Sequence, residues 1–257
     1  MTYTATLLSW ARGLMLLALL TALASCSTND ASPASAEAAA DGKGGSLARF
    51  TVLDNTLYVV DNSSLRVFSL TDPTAPARGA VVPLTFGVET IYPRPPYLFL
   101  GTQRGMYIFD ASTPAAPQQL AFYQHVVSCD PVVVDDQYAY VTLRAGRTCG
   151  GGPNQLQVID LTNLRAPRLA RTYAMERPLG LGIDSNLLFV CDNNQLKVFD
   201  AGATPQLTLR QTFSVTLADV IPHRGLLLGT GPGGLYQYRY QGGQLTPLSR
   251  LPITPTP

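Results

Sequence analysis

Net charge is nearly absent from this chain of 257 residues, in which 18 Lys plus Arg stand against 17 Asp plus Glu. A neutral chain with no basic run has no electrostatic footprint for nucleic acid and none for an anionic bilayer. Histidine is scarce: His125 and His223 are the two, neither lies beside a nucleophile motif, and no G-x-S-x-G occurs. The four cysteines include no CxxC pair and no histidine at ligand spacing, which argues against a cysteine metal site. The one tryptophan, Trp10, lies in the N-terminal segment. Sugar-binding surfaces often stack on Trp, so this placement counts against a glycan site. Between 47 and 253 no 3.6-residue apolar period is sustained between helix caps. A helical or mixed fold is therefore excluded.

No apolar run is long enough to cross a bilayer. The longest, Leu14 to Leu23, covers about ten residues where a spanning helix needs about 20. Preceded by Arg12 and followed by Ala24 and Ser25, it has the length of a secretory signal. The string LASC at 23–26 resembles the bacterial lipobox, which implies cleavage before Cys26 and lipid on its thiol. The alternative is an ordinary signal peptide with a cysteine nearby. Two or three acyl chains would anchor the chain firmly where one would not. Processing removes Arg12 and no acid, leaving 17 bases against 17 acids. Residues 26–46 are Ser, Ala, Gly and Asp with almost no large apolar side chain. Such a segment reads as a flexible tether. Ser27 resembles the outer-membrane type of sorting signal. Export, with anchoring in the cell envelope at the outer membrane, is the expectation.

What is abundant is repetition. Five segments share an apolar strand, a polar turn and a second apolar strand: 56–70, 97–111, 138–161, 187–201 and 226–240. Their aligned second-strand positions are Phe68, Phe109, Ile159, Phe199 and Tyr238, at spacings of 41, 50, 40 and 39. An extra loop from Arg144 to Asn154 accounts for the long interval. Each pair is flanked by further strand-like runs rich in Val, Tyr, Phe and Leu, bounded by Gly, Asn, Asp and Pro. Four strands per unit of about 40 residues, repeated, predict an all-β β-propeller of five four-stranded blades over 47–257. A β-sandwich is the alternative, and sandwiches rarely repeat so regularly.

The strings LQVIDLTNLRAP, YIFDASTPAAP and RVFSLTDPTAP are similar to the LVIVD repeat, with its apolar pair, Asp and proline-rich turn. The fifth unit, LYQYRYQGGQLTP, lacks the Asp and the proline turn. The resemblance implies a propeller at a bacterial surface and carries no catalytic residues with it. Asp110, Asp160 and Asp200 recur from unit to unit, so they read as turn residues accepting backbone N–H bonds.

Three cysteines remain in the domain. In an oxidising compartment a disulfide is expected. The start of a blade's inner strand and the loop between its second and third strands emerge at one end, which places Cys129 and Cys149 on a common face. Cys149–Cys191 and three free thiols are the alternatives. Cys191, at the end of an apolar strand, reads as a small core hydrophobe.

The long loop marks a candidate ligand face built from Glu89, Asp130, Arg144, Arg147 and Asn154. Glu89 and Asp130 start the second and third inner strands in register, and together could hold a hard cation such as Ca²⁺. The simpler reading is that they are solvated or hydrogen-bonded strand-end acids, with no metal or cofactor. Asp219 starts the fifth inner strand one residue out of register, which turns it to the other surface of its sheet. The glycines of CGGGPN (149–154) lack the helix or Lys-Ser/Thr completion of a phosphate loop. The expectation is a non-catalytic binding or scaffold module, lipid-anchored, whose partner is an envelope protein, peptide or polysaccharide. The competing expectation is a cation-dependent envelope hydrolase or lyase working at the propeller mouth.

Overall fold

The computed structural model describes residues 44–129, 131–146 and 151–253. The signal segment, Cys26, Asp130, Arg147 and Cys149 lie outside them. The described chain forms five antiparallel sheets of four strands each, in the order of the sequence. Blade 1 spans 50–83, blade 2 88–124, blade 3 132–174, blade 4 178–214 and blade 5 219–251. The inner strands are Phe50–Leu53, Val88–Arg94, Val132–Val134, Pro178–Asp184 and Asp219–His223. This is the five-bladed propeller that the repeat predicts.

The aligned positions are structurally equivalent. Phe68, Phe109, Ile159, Phe199 and Tyr238 pair across the sheet with Leu57, Leu98, Ala139, Leu188 and Leu227. Beside each of them the outer strand slips by one residue. The unpaired residues in blades 2 to 5 are Leu120, Ala170, Arg210 and Leu248. A bulge at one position in every blade bends and twists the edge strand in the same way five times.

Apolar clusters fill the seams between blades 1 and 2, 2 and 3, 3 and 4, and 4 and 5. Inner blades are covered on both sides, so their second strands run buried without alternation, as in Leu98–Leu100 and Ala139–Val141. Burial of each such Leu or Phe is worth about 1.5–3 kcal/mol. Blade 1 differs: Tyr58 and Val60 are buried while Leu57 and Val59 are only half so. Among the described residues no apolar cluster joins blade 5 to blade 1, and the ring is unsealed there.

The lead-in to blade 1 crosses the axis. Ser46, 1% exposed, donates from Oγ to Asp219 at 2.9 Å and accepts the Leu181 N–H at 2.8 Å. Two residues on, the Ala48 carbonyl accepts the Ile91 N–H of blade 2 at 2.9 Å. Gly45 and Ser46, which composition assigns to the tether, are thus buried parts of the fold. A side chain at Gly45 would overlap the Asp219 carboxylate, so the close approach demands glycine.

Candidate functional site

The turns between second and third strands and the links between blades share one face. A chain of backbone bonds runs along it from blade 1 to blade 3. Gly87 N–H donates to Asn62 at 2.8 Å, Gln103 N–H to Gly87 at 2.9 Å and Ser128 N–H to Gln103 at 3.0 Å. Ser128 Oγ then donates to the Arg144 carbonyl at 2.9 Å, and the Arg144 N–H to the Cys129 carbonyl at 3.3 Å. Glu89 joins through Gln103, whose Nε2 donates to its Oε1 at 3.1 Å. Glu89 sits at a break in register between Val88 and Thr90 of its strand. Glu89, Arg144 and Asn154 are therefore brought onto one connected surface.

Asn154 is committed to holding that surface in shape. Its Oδ1 accepts the Ala145 N–H at 2.9 Å and its Nδ2 donates to the Glu176 carbonyl at 2.7 Å. The amide closes the base of the long loop and ties it to the link into blade 4. A side chain at Gly152 would crowd the Val126 side chain and the Val127 carbonyl.

Three apolar side chains that sequence reading passed over stand out here: Phe86 is 71% exposed, Val126 50% and Val127 44%. They lie in the links on either side of Gln103, whose N–H and carbonyl bind one link each. Single exposed apolar residues need no explanation; these three fall in the two links that meet at Gln103, beside the 144–154 loop. Their signal was weak, because each belongs to a short link and falls outside the strand periodicity.

A second feature absent from the sequence reading is Asp192, fully buried at the end of the blade 4 second strand. It accepts the N–H of Arg177 at 2.7 Å and of Glu176 at 3.0 Å, and Lys197 Nζ at 2.6 Å. Blade 1 repeats the arrangement on the surface, where Asp61 accepts the Ser63 N–H, Ser64 Oγ and Arg66 Nε. Those bonds hold the Asp61 carboxyl well below the usual carboxylate range, the Ser63 backbone bond contributing most. In both blades the acid pairs with a base five residues later, but Asp192 takes its backbone donors from the link into blade 4 and Asp61 from its own turn.

Asp219 faces the axis instead of a free surface. It is mostly buried beneath residues 45–47, and burial pushes its carboxyl up to about 6 against the lowering effect of Ser46 and backbone N–H donors. The recurrent Asp110, Asp160 and Asp200 accept N–H bonds from Ser112, Thr162 and Gly202, each at 2.8 Å, as turn residues should. Cys191 is a free, fully buried thiol in the seam between blades 4 and 5. Among the described residues no three His, Cys, Asp or Glu side chains are grouped to hold a metal. On the opposite face, a cavity of about 650 Å³ lies between blades 4 and 5. Its Tyr240 donates to Asp184 and its Arg210 to Asp200, so both carboxylates already have donors.

The architecture defines the chain as a five-bladed β-propeller. No protein-family model and no curated protein matches it. Solved structures share the fold. A functionally unknown protein from Desulfotomaculum acetoxidans aligns at TM-score 0.67 and 10% identity, over 83% of this chain and 73% of that one. A protein from Lactobacillus plantarum aligns at TM-score 0.61 and 15% identity, over 76% and 67%. The periplasmic gluconolactonase of Pseudomonas aeruginosa aligns at TM-score 0.60 and 18% identity, over 77% and 68%. At such identities the likeness is one of fold alone.

Proposed function

We propose that this chain is a non-catalytic envelope lipoprotein of the LVIVD-repeat type, whose propeller presents a binding face for another envelope protein or peptide. The observation that carries this reading is the exposure of Phe86, Val126 and Val127 in the two links that meet at Gln103, beside the 144–154 loop. An apolar cluster next to a glycine-rich loop suits polypeptide better than polysaccharide. Lipid on Cys26 would hold the domain at the membrane, since net charge offers no help. A Cys129–Cys149 disulfide would pin the loop: Cys129 pairs with Arg144, close before Cys149, while Cys191 is free and buried elsewhere.

The test is site-specific photo-crosslinking in cells. A crosslinker at Val127 should yield a discrete adduct that Phe86→Ser weakens without altering thermal stability. The same crosslinker at Asn186, on the opposite face, should yield none. Equal adducts at both positions, or none at Val127, would remove the face from the proposal. Labelling with a fatty-acid analogue should be lost in Cys26→Ala.

A further inference from the structure

The segment that crosses the axis is held by polar bonds. Gly44, Gly45, Ser46 and Leu47 put no large apolar side chain into the core, since Leu47 is 42% exposed. Their own donors converge on Asp219. Its Oδ1 accepts the Ser46 hydroxyl at 2.9 Å and its Oδ2 the Leu47 N–H at 3.3 Å. A side chain at Gly45, or at Gly180 of blade 4, would overlap that carboxylate, so the two glycines wall it in. One residue further on the hold changes. The Ala48 carbonyl accepts the Ile91 N–H and the Arg49 carbonyl the Val60 N–H, each at 2.9 Å. Residues 44–47 can therefore swing away about Ala48 while blade 1 stays paired, as a local opening.

Among the described residues no base pairs with Asp219. Its donors are neutral: Ser46, Leu47 and the Val220 N–H at 3.0 Å. Arg49, just past the segment, gives its Nη2 to the Val88 carbonyl at 3.1 Å. From blade 4 the titratable group beside it is Cys191, whose thiol is pushed up first by burial and then by Asp219. The next residue, Asp192, is taken by Lys197. Asp184 and His223 stand at the far ends of the two inner strands that flank the carboxylate. Closing 44–47 takes this lone acid out of water, and that burial is the main reason its carboxyl rises to about 6. Opening returns it to solvent.

We propose that residues 44–47 are a latch over the axial mouth, shut on a protonated Asp219 and let go when it ionises. The shut form binds the extra proton, so its share falls as pH rises from 4 to 6 and is lowest above. A carboxyl at about 6 when shut and 3.8 when open makes the ratio of shut to open roughly fiftyfold smaller at pH 7 than at pH 4. The mouth lies on the face that carries Glu89, because the inner strands of blades 2 and 5 begin there. Release uncovers Asp219 and the Leu181 N–H at that mouth. The latch stands on its own contacts and does not need the proposed binding face.

Amide hydrogen exchange of the full chain at pH 4 and pH 7, with and without low urea, tests the latch. The reporter is the Leu181 N–H, whose acceptor is Ser46 Oγ at 2.8 Å. The Leu188 and Val190 amides, in the second strand of blade 4, report global opening. With intrinsic rates removed, Leu181 protection at pH 7 should lie about tenfold or more below theirs and be insensitive to urea. At pH 4 it should be roughly fiftyfold higher than at pH 7, and Asp219→Asn should abolish that difference. The proposal falls if Leu181 shares the protection and urea slope of Leu188 and Val190, because only global unfolding then frees it. It falls equally if local exchange at Leu181 is the same at both pH values, or if Asp219→Asn keeps the difference. Should that variant fail to fold, the pH series of the parent protein decides by itself.

Discussion

Ser46 and Asp219 stand 173 positions apart and share a hydrogen bond of 2.9 Å at the axis of the propeller. Through that bond the lead-in to blade 1 is tied to blade 5. Ser46 also accepts the buried Leu181 N–H, so one hydroxyl holds three segments together. Ser46→Ala should leave that N–H without its acceptor, at a cost of about 1–3 kcal/mol. Urea unfolding should show a lower midpoint at unchanged slope. Gly45→Ala should be worse, because the added methyl overlaps the Asp219 carboxylate.

The same carboxyl predicts a pH dependence. Its folded value, about 6, lies above its ordinary 3.8, so between these values the folded state binds more protons than the unfolded state. Its contribution to stability is then greatest below about pH 4, falls as pH rises towards 6, and is flat above. Asp219→Asn keeps an oxygen acceptor and removes the titration. Melting temperature measured from pH 4 to 8 should decline less with pH in the variant than in the parent. Asp61, Asp110, Asp160 and Asp200 act in the opposite sense, being held low by hydrogen bonds. Their contribution is lost as pH falls below 4, so acid unfolding should persist in the variant.

Asp192 and Lys197 form a mostly buried pair in blade 4. Asp192→Ala strands the lysine and two backbone N–H groups, and should cost about 3–5 kcal/mol. Lys197→Met leaves the carboxylate its backbone donors and should cost less. Chemical denaturation of the two variants measures the difference directly. Equal losses would mean that the ion pair, and not the backbone bonds, holds the turn.

Asn154 closes the base of the long loop with both ends of its amide. Asn154→Ala should speed hydrogen exchange at Ala145 by tenfold or more, since the amide loses its acceptor. Global stability should move by less than about 1 kcal/mol, because the loop adds little to the core. Adduct formation at Val127 should fall with it if the loop shapes the binding face.

The blade count and strand pairing were legible because each unit repeats a local pattern: alternation within strands, polar turns between them, and an aromatic or Ile at one register position. Phe109, Ile159 and Phe199 hold the same place in their repeats and the same register in their sheets. The Asp residues of the corners were legible for the same reason, since an Asx turn is decided within three residues. The site was legible only in part. The inserted loop announced itself as a break in the repeat, whereas Phe86, Val126 and Val127 sit in links where no periodicity points at them.

By itself the sequence determined what is local: five blades, their strand pairing and their corners. It contains no sign of which blade faces are covered. The second strands of blades 1 and 5, TLYVV and LLLGTG, are as apolar as those of the sealed blades. Whether a face is covered depends on the angle accumulated over four seams and on what occupies the axis, and neither is a property of any one segment. Only the tertiary structure decided that Gly45 and Ser46 plug the centre, that Asp219 is buried beneath them, and that Phe50 and Leu251 are left facing water.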